Sequence, residues 1–430
     1  MKRFQRAGQR GVMLIWVAFV LMILIGIIGF SVDVGLGTYV SNQLQAGADA
    51  AALAGARMVR TDIGQARLDA QAIGGSNKAS RQFITLALNE TNDDAGDIVI
   101  GRYSRTLRTF TPQLNNPNAV QVNARRTAES EDGPLPLAFG PLFGVRTANV
   151  QRQATAMIGG GTGEGIICLS PDDPKAFYVR GSAIVSVNGG DIQVDSTAAN
   201  AADLQGSKFI VDAPSINICG DIDLGGGDIG DTVINPGAAY KPDPLAYVPE
   251  PTWDAATDRG QAKITVETVT LSPGYYSGGF DFSGGNITLE PGIYVLGGAG
   301  FNLRGGTNLT ANGVMIFIDS GPVSINGTGN IVMTPPNPEL HSFPNAQTYE
   351  NILFFQARDN TTPSLINGTA GLDLSGSLYF PGNAVTVSGT SDKLGNQFIA
   401  HTMEIAGNSN LTIVYNGDEV APGNRIFLVK

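Results

Sequence analysis

The sequence predicts a mainly β protein: an N-terminal transmembrane helix and a small α/β module, followed by a right-handed parallel β-solenoid. The chain has 430 residues, of which 56 are glycine and only 15% are charged, a composition that suits turn-rich β structure better than helices. Glycine-containing turns also recur at a period near 21 residues in the second half. A period of this length without a heptad is typical of one solenoid coil. A β-sandwich is the alternative, because each period could contain two hairpin strands.

The N-terminal segment is predicted to cross a membrane. An uncharged, mostly apolar run extends from Val12 to Val32. At ~1.5 Å per residue, such a run makes a helix of about 31 Å, close to the thickness of a bilayer's hydrocarbon core. We therefore assign residues 11–33 to an anchor. A cleaved signal peptide is the alternative, although its apolar core is usually shorter, and the first small-x-small site here is as far downstream as residues 46–48.

Charge predicts the orientation of this anchor. Lys2, Arg3, Arg6 and Arg10 all precede the apolar run, so the positive-inside rule keeps residues 1–10 in the cytoplasm and places the bulk of the chain outside it. The net charge is −11, and the acidic excess lies after residue 158. An acidic distal region argues against a nucleic-acid partner and fits an exposed surface.

Small residues dominate the segment that follows the anchor, residues 39–56, which is predicted to continue as a helix. Small residues spaced four apart let a second helix approach closely. This helix could pack on its own module or pack laterally in a pilus-like or membrane assembly. The candidate helix-packing and assembly residues form two columns: Ala46, Ala50 and Ala54 in one, and Gly47, Ala51 and Gly55 in the other.

The N-terminal segment resembles TadG-like proteins of Flp/Tad pilus assembly. The resemblance depends on the basic start, the apolar helix ending in Val32-Asp33-Val34-Gly35, and the Leu44–Ala54 block, and it extends more weakly to Ile158. It implies a non-catalytic structural or assembly component anchored in a bacterial inner membrane. Its implied partners are the membrane and other pilus-assembly proteins or further copies of itself. One departure is Trp16, which stands where related pseudopilins carry the Glu that follows a processed Gly, here Gly11.

Residues 34–158 are predicted to form the TadG-like helix and the small α/β module. Residues 65–89 have a helical pattern interrupted by Gly74-Gly75, while residues 98–105, 119–126 and 147–158 have the pattern of strands. A glycine-rich run at residues 159–163 predicts the domain boundary.

Residues 159–430 are predicted to form the solenoid. Marker glycines are separated by 21, 22, 41, 21 and 18 residues, and the interval of 41 is interpreted as two coils. A proline-rich stretch near residues 235–260 cannot be a coil strand, because proline lacks the ladder donor. It is predicted to be an excursion or a joint between two solenoid parts. The sequence of this region also resembles the solenoid-like tails of some TadG-like proteins. The marker residues are Gly284, Gly305, Gly327, Gly368, Gly389 and Gly407.

The two cysteines, Cys168 and Cys219, both lie in apolar runs on the non-cytoplasmic side. An oxidising compartment permits a disulfide between them. Buried free thiols fit the same surroundings equally well, so the sequence leaves both states open.

No pattern in the sequence predicts catalysis, a metal site or a cofactor. Four acidic residues of the repeat share no position relative to the marker glycines, and the two histidines have no partner pattern; these residues are Asp281, Asp319, Asp359, Asp373, His341 and His401. The acidic segment at residues 221–231 could form solvated turns or a Ca²⁺ site. The alternative functions are an envelope adhesion or carbohydrate-binding protein and, less favoured, a solenoid glycan hydrolase or lyase.

Overall fold

The computed structural model describes residues 9–105, 107–206, 208–368, 371–390, 393–423 and 425–429. The chain forms two compact units: unit 1 comprises residues 1–158 and 426–430, and unit 2 comprises residues 159–425. Lys2, Arg3, Arg6 and the side chain of Arg10, on which the predicted orientation depends, lie outside the described part.

Unit 1 contains two helices, α1 (Gln9–Ala56) and α2 (Ile63–Gly75). Asp62 caps α2, because its side chain accepts a hydrogen bond from the N–H of Gln65. The predicted continuation of this helix to residue 89 is wrong. The helix ends at the glycine pair, since two successive glycines make helix propagation costly, and residues 76–89 form turns and two short strands.

The first eight strands also belong to unit 1, and a short 3₁₀ turn, Gly140–Phe143, lies between the sixth and seventh. The strands are β1 (Lys78–Ala79), β2 (Gln82–Phe83), β3 (Ile98–Ser104), β4 (Thr109–Pro112), β5 (Ala119–Arg126), β6 (Leu135–Pro136), β7 (Thr147–Ala148) and β8 (Val150–Ile158).

Unit 2 contains the next twenty-seven strands in chain order. Those before the proline-rich stretch are β9 (Glu164–Cys168), β10 (Phe177–Arg180), β11 (Ile184–Asn188), β12 (Asp191–Val194), β13 (Ala202–Gln205), β14 (Ile210–Asp212), β15 (Ser215–Ile218), β16 (Ile222–Leu224) and β17 (Val233–Pro236). Those after it are β18 (Gln261–Ile264), β19 (Thr268–Leu271), β20 (Gly274–Tyr276), β21 (Gly279–Phe282), β22 (Asn286–Leu289), β23 (Gly292–Leu296), β24 (Phe301–Gly305), β25 (Asn308–Ala311), β26 (Val314–Ile318), β27 (Val323–Gly327), β28 (Ile331–Met333), β29 (Ile352–Gln356), β30 (Ser364–Gly368), β31 (Leu372–Leu374), β32 (Ser377–Gly389), β33 (Lys393–Leu394), β34 (Gln397–Ile405) and β35 (Asn410–Val414).

The final strand, β36 (Ile426–Val429), belongs to unit 1, where it pairs antiparallel with β8. The sequence pattern predicts a solenoid up to residue 430, and the structure corrects that prediction for this strand. They complete a five-stranded antiparallel sheet in the order β36-β8-β5-β3-β4. Unit 2 is therefore inserted in the chain between two neighbouring strands of unit 1.

Unit 2 is a parallel β-solenoid, as predicted. All pairings among β9–β35 in the described residues are parallel, so the β-sandwich alternative is wrong. Neighbouring coils repeat at the predicted period: Phe280 lies beside Phe301, and Phe301 lies beside Val323. Each coil places up to three strands on three faces of the solenoid.

The interval of 41 residues is one coil and not two. Ser324 in β27 pairs directly with Leu365 in β30. The additional residues, 334–351, form turns outside the strands. The prediction of two coils was wrong because an insertion of nearly one period has the same spacing as an additional coil.

The interior of the solenoid is a stack of apolar side chains. Phe354, Phe380 and Phe398 lie on successive coils with ring centroids 6.3 and 5.6 Å apart. Glycines make the corners that separate the strands. Gly300 has φ 65°, and a Cβ added there would lie 2.2 Å from the carbonyl oxygen of Pro322 on the next coil. Only glycine fits this corner.

The order of the coils in space differs from their order along the chain. The first solenoid strand, β9, pairs on one side with β12 of the second coil and on the other with β34 of the last coil. The first coils stack outward from this position to β17, which pairs only with β15 among the described strands. The chain then resumes at the opposite end of the stack with β18, and the later coils return toward β9.

Residues 237–260, which we call the strap, connect the two ends of the stack. They pack on the outer surface of one face, where Leu245 and Val248 join a cluster of outward-pointing side chains. Successive coils contribute these side chains in one continuous column: Tyr275, Val295, Phe317, Phe355, Tyr379, Ile399 and Ile167. The strap thereby removes from water an apolar surface that a solenoid exterior would otherwise expose.

Candidate anchor and assembly helix

The N-terminal half of α1 has an apolar surface with almost no protein against it. Nearly all side chains between Met13 and Val32 are exposed, with Gly29 the only buried residue of that stretch. The helix is long and apolar enough to cross a membrane. A core helix of a soluble protein buries one apolar stripe, so the exposed apolar circumference of α1 is typical of a segment whose solvent is lipid.

The C-terminal half of the same helix is built into unit 1. Val40, Leu44 and Ala48 are fully buried and pack with strand residues such as Ile98 and Val122. The change from exposed to buried along one uninterrupted helix fixes the apolar N-terminal segment rigidly to the module.

The two columns of small residues have different surroundings. Gly47 is buried, and a Cβ added there would lie 2.4 Å from Cδ1 of Ile84. Gly55 is also buried, and an added Cβ would lie 2.9 Å from the carbonyl oxygen of Ala66 in α2. The column Gly47, Ala51 and Gly55 therefore packs within unit 1.

The second column lies at the surface of unit 1. Ala46 is exposed, and Ala50 and Ala54 are half-buried. No bulky side chain interrupts this row, so its backbone remains open to close approach by another helix.

A connection between β6 and β7 also contacts α1, a feature that the sequence did not predict. The carboxylate of Asp33 accepts backbone N–H groups from Ala138, Phe139 and Gly140 at 2.8, 3.1 and 2.6 Å. The connection then follows the helix to Gly26, where an added Cβ would lie 3.4 Å from Cζ of Phe143.

One of the four acidic residues considered for catalysis, Asp281, and both histidines have structural partners. Asp281 lies 2.8 Å from a guanidinium nitrogen of Arg304. His401 Nε2 lies 3.0 Å from Asp173, and His341 Nδ1 accepts the backbone N–H of Asn337. These contacts hold neighbouring coils and turns together.

Asp319 and Asp359 are close enough for their charges to interact, although the strand register places Asp319 opposite Ala357. Both follow strands of the strap face on consecutive coils, β26 and β29. Burial raises the pKa of Asp319, and the charges of Asp359 and Glu250 raise it further.

The acidic segment at residues 221–231 contains the strand β16 and the bends and turns that follow it. Asp228 accepts the N–H of Gly230, and Asp221 accepts the N–H of Ile222. Across the described residues, no group of three or more His, Cys, Asp or Glu side chains is arranged to hold a metal ion.

Cys168 and Cys219 are both free thiols. Cys168 pairs with Val194, which in turn pairs with Ile218, the residue directly before Cys219. The strand β12 therefore separates the two cysteines. Two strand spacings are about 9–10 Å, whereas the Cα atoms of a disulfide are less than about 7 Å apart. Of the two states that the sequence left open, the arrangement of β9, β12 and β15 therefore favours the free thiols.

Comparison with known families gives two overlapping matches at the N-terminus. Residues 11–58 match a family described as putative Flp pilus-assembly TadE/G-like, and residues 41–156 match one described as putative Tad-like Flp pilus-assembly. Unit 1 is similar to Tad pilus-assembly proteins. This confirms the resemblance predicted from the sequence. A search of curated proteins and a search of solved structures gave no significant match.

The Tad-like matches cover the helix and module in which the candidate residues lie. The first includes the exposed apolar segment of α1 and both small-residue columns. The second continues through the module to residue 156, and so includes the connection between β6 and β7 that Asp33 holds. The solenoid lies outside both matched ranges, so the pilus-assembly similarity belongs to unit 1.

Proposed function

We propose that this protein is a membrane-anchored, non-catalytic component of a Tad-type pilus-assembly system in a bacterial inner membrane. The supporting observation is that the exposed apolar segment of α1 continues without a break into a Tad-like module. With the N-terminus in the cytoplasm, the module and the solenoid lie on the periplasmic side. The solenoid has a structural role in this proposal, because its side chains mainly build coils.

Fusion of a topology reporter to the C-terminus of the full chain tests this orientation. We expect alkaline phosphatase to be active at that position and a reporter that works only in the cytoplasm to be inactive. Leu24→Arg should reduce insertion, because a central arginine costs about 3 kcal/mol on insertion scales. Leu107→Arg is the matched control, since Leu107 is exposed in the turn after β3. The opposite pattern of reporter activity would refute the orientation.

We further propose that the surface column Ala46, Ala50 and Ala54 is the contact through which α1 joins other pilus-assembly proteins or a second copy of this chain. Support comes from the different surroundings of the two columns, since the Gly47 column already packs against other residues of unit 1. Deleting the whole helix segment would remove the core of unit 1 and would test folding. Point substitutions on the surface column test assembly.

Ala46→Leu and Ala50→Leu should leave unit 1 folded and reduce pilus assembly, as measured by counting pili and by cross-linking of α1 in membranes. Ala128→Leu is the control, because Ala128 is exposed outside the helix. Normal pilus number and normal cross-linking in both helix variants would refute the proposed contact.

A further inference from the structure

The connection between β6 and β7 has an apolar tip that unit 1 leaves uncovered. Leu142, Phe143 and Val145 are 72%, 62% and 53% exposed. They follow one another around a tight turn, in which Gly144 adopts φ 82°. Arg146, the next residue, is also exposed. Surface loops are generally polar, so three large apolar side chains within four residues indicate a surface that contacts something other than water.

The position of this tip is fixed relative to α1. Asp33 holds the base of the connection through the three backbone N–H groups described above. Gly29 is buried under Phe139, and an added Cβ there would lie 2.8 Å from Cβ of Phe139. Two glycines on one side of the helix, Gly26 and Gly29, therefore provide the groove in which the connection lies.

The tip reaches toward the N-terminus of α1. Phe143 lies beside Gly26, seven residues before Asp33. Seven residues at ~1.5 Å correspond to about 10 Å along the helix axis. If Asp33 marks the end of the apolar segment, the tip lies about 10 Å inside it, the depth to which interfacial apolar side chains are buried in a bilayer.

We infer that residues 139–146 form a second membrane contact, in which Leu142, Phe143 and Val145 enter the lipid beside α1. The occupant of this surface is the bilayer, because the tip is continuous with the exposed apolar surface of the anchor. Arg146 then lies at the level of the lipid phosphates, where a basic residue is favoured. The three backbone N–H groups donate hydrogen bonds to the Asp33 carboxylate at the end of the apolar segment. These hydrogen bonds reduce the cost of placing an acidic residue at the membrane boundary. This inference rests on the anchoring proposed above.

Quenching of tryptophan fluorescence by lipids brominated along their acyl chains tests the contact. The full chain is reconstituted in phosphatidylcholine vesicles with Trp16→Phe and Trp253→Phe, so that neither native tryptophan contributes a signal, and Phe143→Trp supplies the probe. Leu107→Trp in the same background is the matched control, since Leu107 is 66% exposed elsewhere in unit 1. We expect the probe at residue 143 to lose about half of its emission or more, as for a residue buried within about 10 Å of the interface.

Asp33→Ala in the Phe143→Trp background tests the attachment of the connection to α1. We expect quenching to fall toward that of the Leu107→Trp control, because the three backbone N–H groups lose their acceptor. Quenching at residue 143 no greater than at residue 107 would overturn the membrane contact, and quenching unchanged by Asp33→Ala would overturn the role of Asp33.

An alkaline wash of the vesicles separates this inference from the proposed anchor. Chain that is released by the wash would refute both the anchor and the membrane contact of the tip. Chain that is retained but shows no quenching at residue 143 would refute only the contact of the tip.

Discussion

The hydroxyl of Tyr379 donates a hydrogen bond of 2.5 Å to Oδ2 of Asp243, and so joins the outer column of the solenoid to the strap. Burial raises the pKa of Tyr379, and the neighbouring Asp243 carboxylate raises it further. The hydroxyl therefore stays protonated and remains a donor at physiological pH. Arg358 adds to this contact by donating to the carbonyl oxygens of Leu245 and Val248 at 3.0 and 2.8 Å.

Tyr379→Phe should lower the free energy of unfolding by about 1.5–3 kcal/mol, because the Asp243 carboxylate loses a donor in a partly buried site. Urea unfolding of the full chain in detergent, followed by circular dichroism, measures this change. Tyr275→Phe is the matched control: Tyr275 lies on the same column, where its ring stacks on Trp253 at 5.5 Å, and the phenylalanine ring keeps that contact. Equal effects of the two substitutions would contradict the role of the hydroxyl.

The strap is also held by an ion pair between Lys241 and Glu164. The side chain of Glu164 is almost completely buried. Lys241→Met should destabilise the chain by up to about 3 kcal/mol, because it leaves a buried carboxylate without its partner. Lys263→Met is the control, since Lys263 is more exposed and lies 4.0 Å from Asp281, which also pairs with Arg304. A rise in protease cleavage within residues 237–260 should accompany the loss, and its absence would count against a strap held at Glu164.

Asp319→Asn should stabilise the protein slightly at neutral pH. The folded-state pKa of Asp319 is raised, so its stabilising contribution is complete below the unfolded pKa and is lost as the pH rises through the folded value. The amide removes this loss, and the gain should stay below about 1 kcal/mol because the group is partly solvated. Unfolding free energies measured at about pH 4 and about pH 7, on either side of the titration of a raised carboxyl group, should differ less for the variant than for the parent.

Asp373→Asn, at an exposed position on β31, is the matched control for the substitution itself. The same Asp319→Asn variant addresses catalysis. If it folds normally but abolishes biological function, the solenoid hydrolase alternative gains support over a purely structural role.

Gly55→Ala should destabilise unit 1 by about 1–3 kcal/mol, because the new methyl group would press on the backbone of α2. Gly35→Ala lies on the same helix with no atom within 4 Å of the added Cβ. That control should be neutral or stabilising by up to about 1 kcal/mol, since alanine favours helix. Thermal unfolding of the full chain in detergent distinguishes the two, and an equal response would mean that Gly55 is not a packing contact.

Both cysteines should react as thiols once the chain is denatured, without prior reduction. Burial raises the pKa of Cys168, so its thiol should be inert in the folded chain. After denaturation without reductant, alkylation should add one group to each cysteine, as measured by mass spectrometry. A chain that gains these groups only after reduction would show that a disulfide had formed.

Much of the architecture could be predicted because its causes are local. The glycines of the coil corners and the alternation of apolar residues specify a solenoid coil wherever they occur. The stacking order of the coils has no local cause. The edge of β9 can pair with β34 as readily as with any other parallel strand, and the sequence of β9 does not specify which coil pairs with it. The prolines of the strap marked an excursion but contained no information about its path along the outer column.

The candidate site was predictable to the same extent. Both columns of small residues have identical spacing, so the sequence could not distinguish them. Their difference arises from Ile84 and Ala66, residues brought to one side of α1 by other elements. The contact of Asp33 with the connection before β7 joins residues more than a hundred positions apart, and its only signal was the cluster of proline and phenylalanine in that connection.

The position of β9 between β12 and β34 has a consequence for how the chain matures. During synthesis the early coils form with one edge of β9 unpaired, and its partner β34 is made more than two hundred residues later. Until β34 has been synthesised, the open parallel edge of β9 can pair with a neighbouring chain. The pairing of β34 with β9 is therefore a late event of folding. The strand β36, which pairs with β8, is synthesised later still. A chain truncated before β34 would be left with a permanent template for aggregation.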